Sequence, residues 1–251
     1  MAGSLDGRVA LVTGGATRIG AEICRTLAIA GARVAIHCNR SKSAAVDLAD
    51  EIHSQGGVAF VVHADLANSD EREALVESVI SQENRLDILV NNASIFESVL
   101  IEEMTTEAAR EMWVVNAEAP LMLIHHAIPY LKSGGEQKPG SVVNMIDNAS
   151  GRGDWPELSH YCASKAGLLS MTRSLAQELA PQIRVNAVGP GAIMFQDWEP
   201  EKKRSAILES IPMRRQGTAE EIAKTVLFLI DGPSYITGQV IDVDGGWSLS
   251  G

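Results

Sequence analysis

The chain has 251 residues, 45% of them hydrophobic, and a net charge of −11. That length suits one large α/β domain able to bury about 70 to 75% of its unfolded surface. The acidic balance argues against a nucleic-acid binder, which needs a clustered basic face, and favours solubility.

No run of roughly 18 apolar residues is present, and residues 1–6 lack the basic and apolar regions of a secretory leader, so no membrane span or export signal is expected. Cys24, Cys38 and Cys162 are odd in number and have no Cys-x-x-Cys spacing. They are expected to be reduced thiols of a cytoplasmic protein. Strands are predicted in order at residues 8–13, 33–37, 58–63, 86–91, 141–146, 183–188 and 240–243, with helix-period segments between them. Most of these strands are apolar without clean alternation, as when both sheet faces are covered. The expected fold class is therefore α/β, a doubly wound Rossmann-type sheet of seven mainly parallel strands with helices on both faces. The whole of residues 1–251 reads as a single dinucleotide-binding and catalytic domain. Its one long departure from the alternation, residues 190–217, reads as a substrate lid.

After the first strand comes Thr13-Gly14-Gly15-Ala16-Thr17-Arg18-Ile19-Gly20, which leads into a helix. Glycines at a strand-to-helix turn let backbone approach a pyrophosphate at a helix N-terminus. Arg18 can pair with phosphate while lying near substrate, or simply face solvent. The second strand ends in His37-Cys38-Asn39-Arg40-Ser41, with no acidic residue before Asp47. An enzyme preferring NAD places a carboxylate there for the ribose 2′-hydroxyl, whereas Arg40 and Ser41 match a 2′-phosphate, so NADP(H) is favoured. Asp65, followed by Leu66, closes the third strand and reads either as a contact to the adenine edge or as a helix cap.

The fourth strand runs into Asn91-Asn92-Ala93-Ser94, Asn116 falls in the next helical segment, and Asp147 follows the fifth strand. Tyr161 and Lys165 stand four apart on a predicted helix and so share a face. The Lys165 ammonium is expected to lower the phenol pKa of Tyr161, making it a general acid or base. The alternative is two residues decorating an amphipathic helix.

Taken together, Thr-Gly-x-x-x-x-x-Gly, Asn-Asn-Ala, the helical Asn, Tyr-x-x-x-Lys, the run from Arg184 to Gly191, and the terminal stretch from Thr237 to Gly246 resemble the short-chain dehydrogenase/reductase family over essentially the whole chain. The resemblance implies that Lys165 binds the nicotinamide ribose, Tyr161 handles the proton and Asn116 holds a relay water. It also implies that Gly14, Thr17, Arg18, Ile19, Gly20, His37, Arg40, Ser41, Asp65, Leu66, Asn92, Ala93, Ser94, Tyr161, Lys165, Pro190 and Gly191 contact the cofactor, and that the chain forms a homotetramer on the helices at 107–130 and 161–180. No metal site is expected.

The family usually carries a serine where Asp147 stands; Ser150, or Asn148, is the alternative hydroxyl or amide. Arg18, His37-x-x-Arg40-Ser41, Asn91-Asn92-Ala93-Ser94-x-Phe96 and Asn144-Met145-Ile146-Asp147 resemble the pteridine reductase branch. By that resemblance Phe96 stacks on a flat pterin, Ser94 and Arg18 hydrogen-bond to it, and Asp147 and Tyr161 serve its protonation. Phe96 as a loop-packing residue remains the plainer reading. The expected activity is NADPH-dependent reduction of a dihydropterin or dihydrofolate. A carbonyl or 3-oxoacyl-thioester reductase is the alternative, and a non-catalytic NADP(H)-binding sensor is a third reading that the intact Asn116, Tyr161 and Lys165 set opposes.

Overall fold

In the computed structural model, residues 3–134, 139–148, 155–195 and 200–250 are described. Seven strands form one sheet: β1 (Val9–Val12), β2 (Arg33–Cys38), β3 (Val58–His63), β4 (Ile88–Asn91), β5 (Gly140–Met145), β6 (Ile183–Pro190) and β7 (Val240–Val243). Their order is β3-β2-β1-β4-β5-β6-β7 and every neighbouring pair is parallel. Parallel strands need crossovers, supplied by the helices α1 (Arg18–Ile29), α2 (Lys42–Ser54), α3 (Ser69–Glu83), α4 (Thr106–Trp113), α5 (Ala119–Leu131), α6 (Ser159–Leu179), α7 (Glu201–Ser210) and α8 (Ala219–Asp231).

Successive residues of a strand point to opposite faces, so each strand feeds two cores. Ala10 and Val12 of β1 pack with Ile23 and Leu27 of α1, Leu48 of α2 and Val226 of α8. Val9 and Leu11 pack on the other side with Leu75 of α3, Leu123 of α5 and Leu179 of α6. Apolar residues are therefore favoured on both faces of the central strands, which is why these strands show no clean alternation in the sequence. The chain runs from β1 outward to β3 and then returns to β4 on the other side of β1, so the order reverses between β1 and β4. Ligands of such sheets bind outside the strand C-termini at that reversal.

Two expectations are refined. The segment expected as one helix over 107–130 is broken by a π-helical stretch, Val114–Glu118, which carries Asn116. The extra residue per turn loosens the ladder and turns the Asn116 side chain inward, fully buried. The excursion at 190–217 contains α7, and its two ends are tied together by Gly217 N–H donating to Ala192 O at 3.0 Å and by the Gln216 amide donating to Ile193 O. Among the described residues no helix is long and apolar enough to cross a membrane.

Candidate active site

The glycine turn at the end of β1 is stitched to the end of β4. Thr13 Oγ1 accepts from Asn92 N–H at 2.9 Å and Ala93 N–H at 3.0 Å and donates to Val90 O at 3.3 Å. The Asn92 amide donates to Thr13 O and Gly14 O at 2.9 and 3.0 Å. A Cβ on Gly20 would lie 2.1 Å from Gly14 O, a backbone atom that cannot step aside. His37 braces the same turn from β2: its Nδ1 accepts from Gly14 N–H at 3.0 Å, which leaves the proton on Nε2 to donate to Ala64 O at 3.0 Å. Burial holds its pKa down to about 4, so the ring is neutral at ordinary pH. Asn92 and His37, expected as cofactor contacts, thus spend these polar atoms on shaping the turn, although both residues line the cleft.

Thr17 is the extended residue before α1 and makes no side-chain cap to it. The first N–H groups of α1 and the positive end of its dipole are left for an anion. Arg18 adopts φ +54°, and its guanidinium donates to Met194 O at 2.7 Å, linking the glycine turn to the segment after β6. The turn opens on a cleft of about 610 Å³ that Gly14, Thr17, Ile19, Gly20, Asp65, Leu66 and Ala93 help to line, with exposed Arg40 and Ser41 on the same wall. Asp65 does not cap α3; its carboxylate accepts from Ala67 N–H at 3.0 Å, and Asn68 is the cap. At the far end of the sheet Gly191 N–H donates to Val243 O, and Pro190 O accepts from Asn148 N–H.

Beyond the cleft wall at Ile95 lies a small apolar cluster of Met112, Leu158, Tyr161 and Cys162. The Tyr161 hydroxyl donates to Asp147 Oδ2 at 3.0 Å. Burial, then the charge of Asp147 and this hydrogen bond, push the phenol pKa well above its ordinary value. Lys165 is buried, donates to Met145 O at 2.9 Å and lies 5.8 Å from the Tyr161 ring centroid. Its pKa is lowered to about 8 by burial, against the opposing pull of Asp147. The expectation that Lys165 lowers the Tyr161 pKa is corrected, since burial and Asp147 raise it. The two side chains share a helix face, but the lysine turns to a strand carbonyl while the phenol reaches a carboxylate.

Asn116 is held by a two-way bond to the Ile95 backbone, accepting from its N–H at 2.9 Å and donating to its O at 2.9 Å. The Ser94 hydroxyl points to Asn116 Oδ1 at 3.1 Å and to Ile95 O at 3.2 Å, so here it serves the loop. Phe96 is 49% exposed and meets Tyr161 edge to face, centroids 4.8 Å apart at 90°. Half of its surface remains open, unlike a residue that only packs a loop. Ser150 lies outside the described residues. The Asn148 amide donates to Asp244 Oδ2 at 3.3 Å and is committed to the C-terminal turn.

The structure therefore brings Asp147, Tyr161, Lys165 and Phe96 together and sets Asn116 behind Ser94. The sequence reading missed Thr13, which stitches the turn, and the ring contacts that join Trp155 to Phe96 and to Trp247. The place of Thr13 at the end of the first strand, directly before the first glycine, offered a signal, whereas nothing in the sequence links Trp155 to Trp247, 92 residues later. Among the described residues no His, Cys, Asp and Glu group could hold a metal.

The turn, the uncapped helix end, the neutral His37 and the absence of a carboxylate beside Arg40 fit a phosphorylated dinucleotide. A family model described as "Enoyl-(Acyl carrier protein) reductase" matches residues 14–248. A 3-oxoacyl-[acyl-carrier-protein] reductase of Synechocystis sp. is 37% identical over 246 residues, covering 97% of this chain and 98% of the relative. The crystal structure of FolM Alternative dihydrofolate reductase 1 from Brucella canis complexed with NADP superposes with a TM-score of 0.91 at 34% identity, covering 99% of this chain and 96% of that one. A blue fluorescent protein from a metagenomic library in complex with NADPH gives 0.88 at 34% identity, covering 97% and 99%. The names of the curated relatives favour 3-oxoacyl-thioester reduction over the pteridine reductase branch expected from the motifs.

Proposed function

Since the chain belongs to the short-chain dehydrogenase/reductase family and takes NADP(H) as cofactor, we propose that it reduces a dihydropterin or dihydrofolate to the tetrahydro form. The observation that carries this reading is the 3.0 Å hydrogen bond from Tyr161 to Asp147, a carboxylate where a carbonyl reductase of the family carries serine. NADPH supplies the hydride to the C=N carbon. Tyr161, protonated because its pKa is raised, delivers the proton to the neighbouring ring nitrogen.

Loss of that proton would leave phenolate and carboxylate about 3 Å apart, so the half-buried Asp147 carboxylate takes a replacement proton from solvent and passes it to Tyr161. Lys165 supplies the counter-charge and the ribose contact, Arg40 and Ser41 the 2′-phosphate contact, and Thr17 and the α1 N-terminus the pyrophosphate contact. Phe96 offers the flat ring a face. A ketone needs only a hydroxyl donor at position 147; a ring nitrogen suits an acid.

A second reading, reduction of a 3-oxoacyl thioester, is favoured by the names of the curated relatives. Rates of NADPH oxidation with dihydrofolate, dihydrobiopterin and an acetoacetyl thioester separate the two. Asp147→Ala is expected to abolish dihydropterin reduction with little loss of NADPH affinity, and full activity in that variant would sink the proposal. Asp147→Ser is expected to raise thioester reduction relative to dihydropterin reduction. The tetramer common in the family is part of the same proposal, and sedimentation tests it.

A further inference from the structure

An aromatic run leads away from the phenol of Tyr161. Phe96, after β4, meets Tyr161 edge to face at 4.8 Å and Trp155, before α6, at 6.5 Å and 86°. Trp155 in turn meets Trp247, after β7, at 5.9 Å and a 40° tilt. All three outer rings retain exposed surface.

Trp247 is firmly mounted. Gly245 and Gly246 turn the chain at φ +66° and +85°, and the Asp244 carboxylate accepts from Gly246 N–H at 2.9 Å and Ser248 N–H at 2.6 Å. Asn148, next to Asp147, donates to that same carboxylate at 3.3 Å. The C-terminal turn is thus tied to the residue beside the proton-handling acid, so Trp247 and the reacting end keep one spacing. Met213 N–H donating to Gly245 O at 3.2 Å fixes the lid side of the turn as well.

We infer that Trp155 and Trp247 form a subsite for a second aromatic ring, the aryl amide tail of a pteroyl substrate, and so determine specificity for dihydrofolate over dihydropterins with short aliphatic side chains. The inference rests on the dihydropterin reading above and deepens it. An alkyl tail needs only apolar area, which any aliphatic wall supplies. Indole rings add π faces held at fixed angles to one another.

The test compares kcat/KM for dihydrofolate and dihydrobiopterin in the NADPH-bound protein and in Trp155→Leu, Trp247→Leu and Trp247→Phe. Leucine keeps apolar bulk and removes the ring. The dihydrofolate-to-dihydrobiopterin ratio is expected to fall about fivefold to tenfold in each leucine variant, through KM, and to recover in Trp247→Phe. An unchanged ratio in leucine variants with native NADPH affinity overturns the subsite. Where a leucine variant does not fold, wild-type preference decides: equal KM for the two substrates overturns the subsite, and a KM at least severalfold lower for dihydrofolate supports it. Reduction of dihydrobiopterin without dihydrofolate sinks the subsite and leaves the dihydropterin reading standing. Reduction of neither substrate sinks that reading itself.

Discussion

Replacing Lys165 by methionine is expected to stabilise the cofactor-free protein while destroying its activity. The side chain is 3% exposed and its ammonium has the Met145 carbonyl at 2.9 Å. Burial lowers its pKa from 10.5 to about 8. In the unfolded chain the group keeps its ordinary pKa, so between 8 and 10.5 the unfolded state binds more protons than the native one, and stability rises with pH across that window. Below pH 8 the native protein bears the whole penalty, roughly 3 kcal/mol at 1.36 kcal/mol per unit. Methionine removes the charge and keeps the volume; the attraction of Asp147 is already contained in the lowered pKa, so what is forfeited besides is the hydrogen bond, about 1 kcal/mol. A net gain of about 2 kcal/mol at pH 7 follows, a rise in Tm of roughly 4 to 8 °C for a domain of this size. Urea or thermal unfolding without cofactor, at several values from about pH 7 to about pH 9.5, measures it. The advantage of Lys165→Met is expected to shrink as pH climbs above 8. The raised Tyr161 pKa acts in both proteins and drops out of the difference to first order. A variant less stable than wild type at neutral pH, or an advantage indifferent to pH, would refute the reasoning. Turnover is expected to fall by about 10² to 10⁴.

His37 offers a second pH test. Its folded pKa of about 4 lies below the ordinary 6.5, so its contribution is full above pH 6.5 and is lost as pH falls towards 4, roughly 3 kcal/mol in all. Urea midpoints at about pH 7.5 and about pH 4.5 are expected to lie closer together in His37→Gln than in wild type. Arg40→Glu is expected to weaken NADPH binding by roughly 30-fold, the loss of a charge-assisted bond, and to spare NADH, as read by titrating nicotinamide fluorescence. Gly20→Ala places a methyl 2.1 Å from Gly14 O and is expected to cost about 1 to 3 kcal/mol in chemical denaturation while also weakening NADPH binding; native values of both would show that the turn can yield.

Most of the fold was legible because its signals are local. The β3 and β7 bounds coincide with the expected ones, and the others differ by one or two residues at either end, where a strand stops only when its neighbour stops: β6 continues to Pro190 because Val243 of β7 pairs with it. The π-helical stretch at Val114–Glu118 was not legible. Its residues suit an ordinary helix, and the departure goes with the anchoring of Asn116 to Ile95, a contact across 21 residues.

The site divides in the same way. The glycine turn, Arg40 and Ser41, and Tyr161 with Lys165 could be read from spacing along one strand end or one helix face. The assignments of Asn92, His37 and Ser94 as direct contacts could not be checked from the sequence, because it shows which polar groups exist but not which partners use them. All three were found bonded within the protein.

By itself the sequence determined the doubly wound fold, the dinucleotide turn and the phosphorylated cofactor, since apolar runs, glycines and a missing carboxylate act over a few residues. The tertiary structure decided that the phenol of Tyr161 answers to Asp147 rather than to Lys165, and that Trp155 stands between Phe96 and Trp247 in one run of ring contacts. A pKa depends on burial and on charges a few ångströms away, and an aromatic wall on rings brought together from distant segments. Both are distances in space, set only when β5, α6 and β7 are packed.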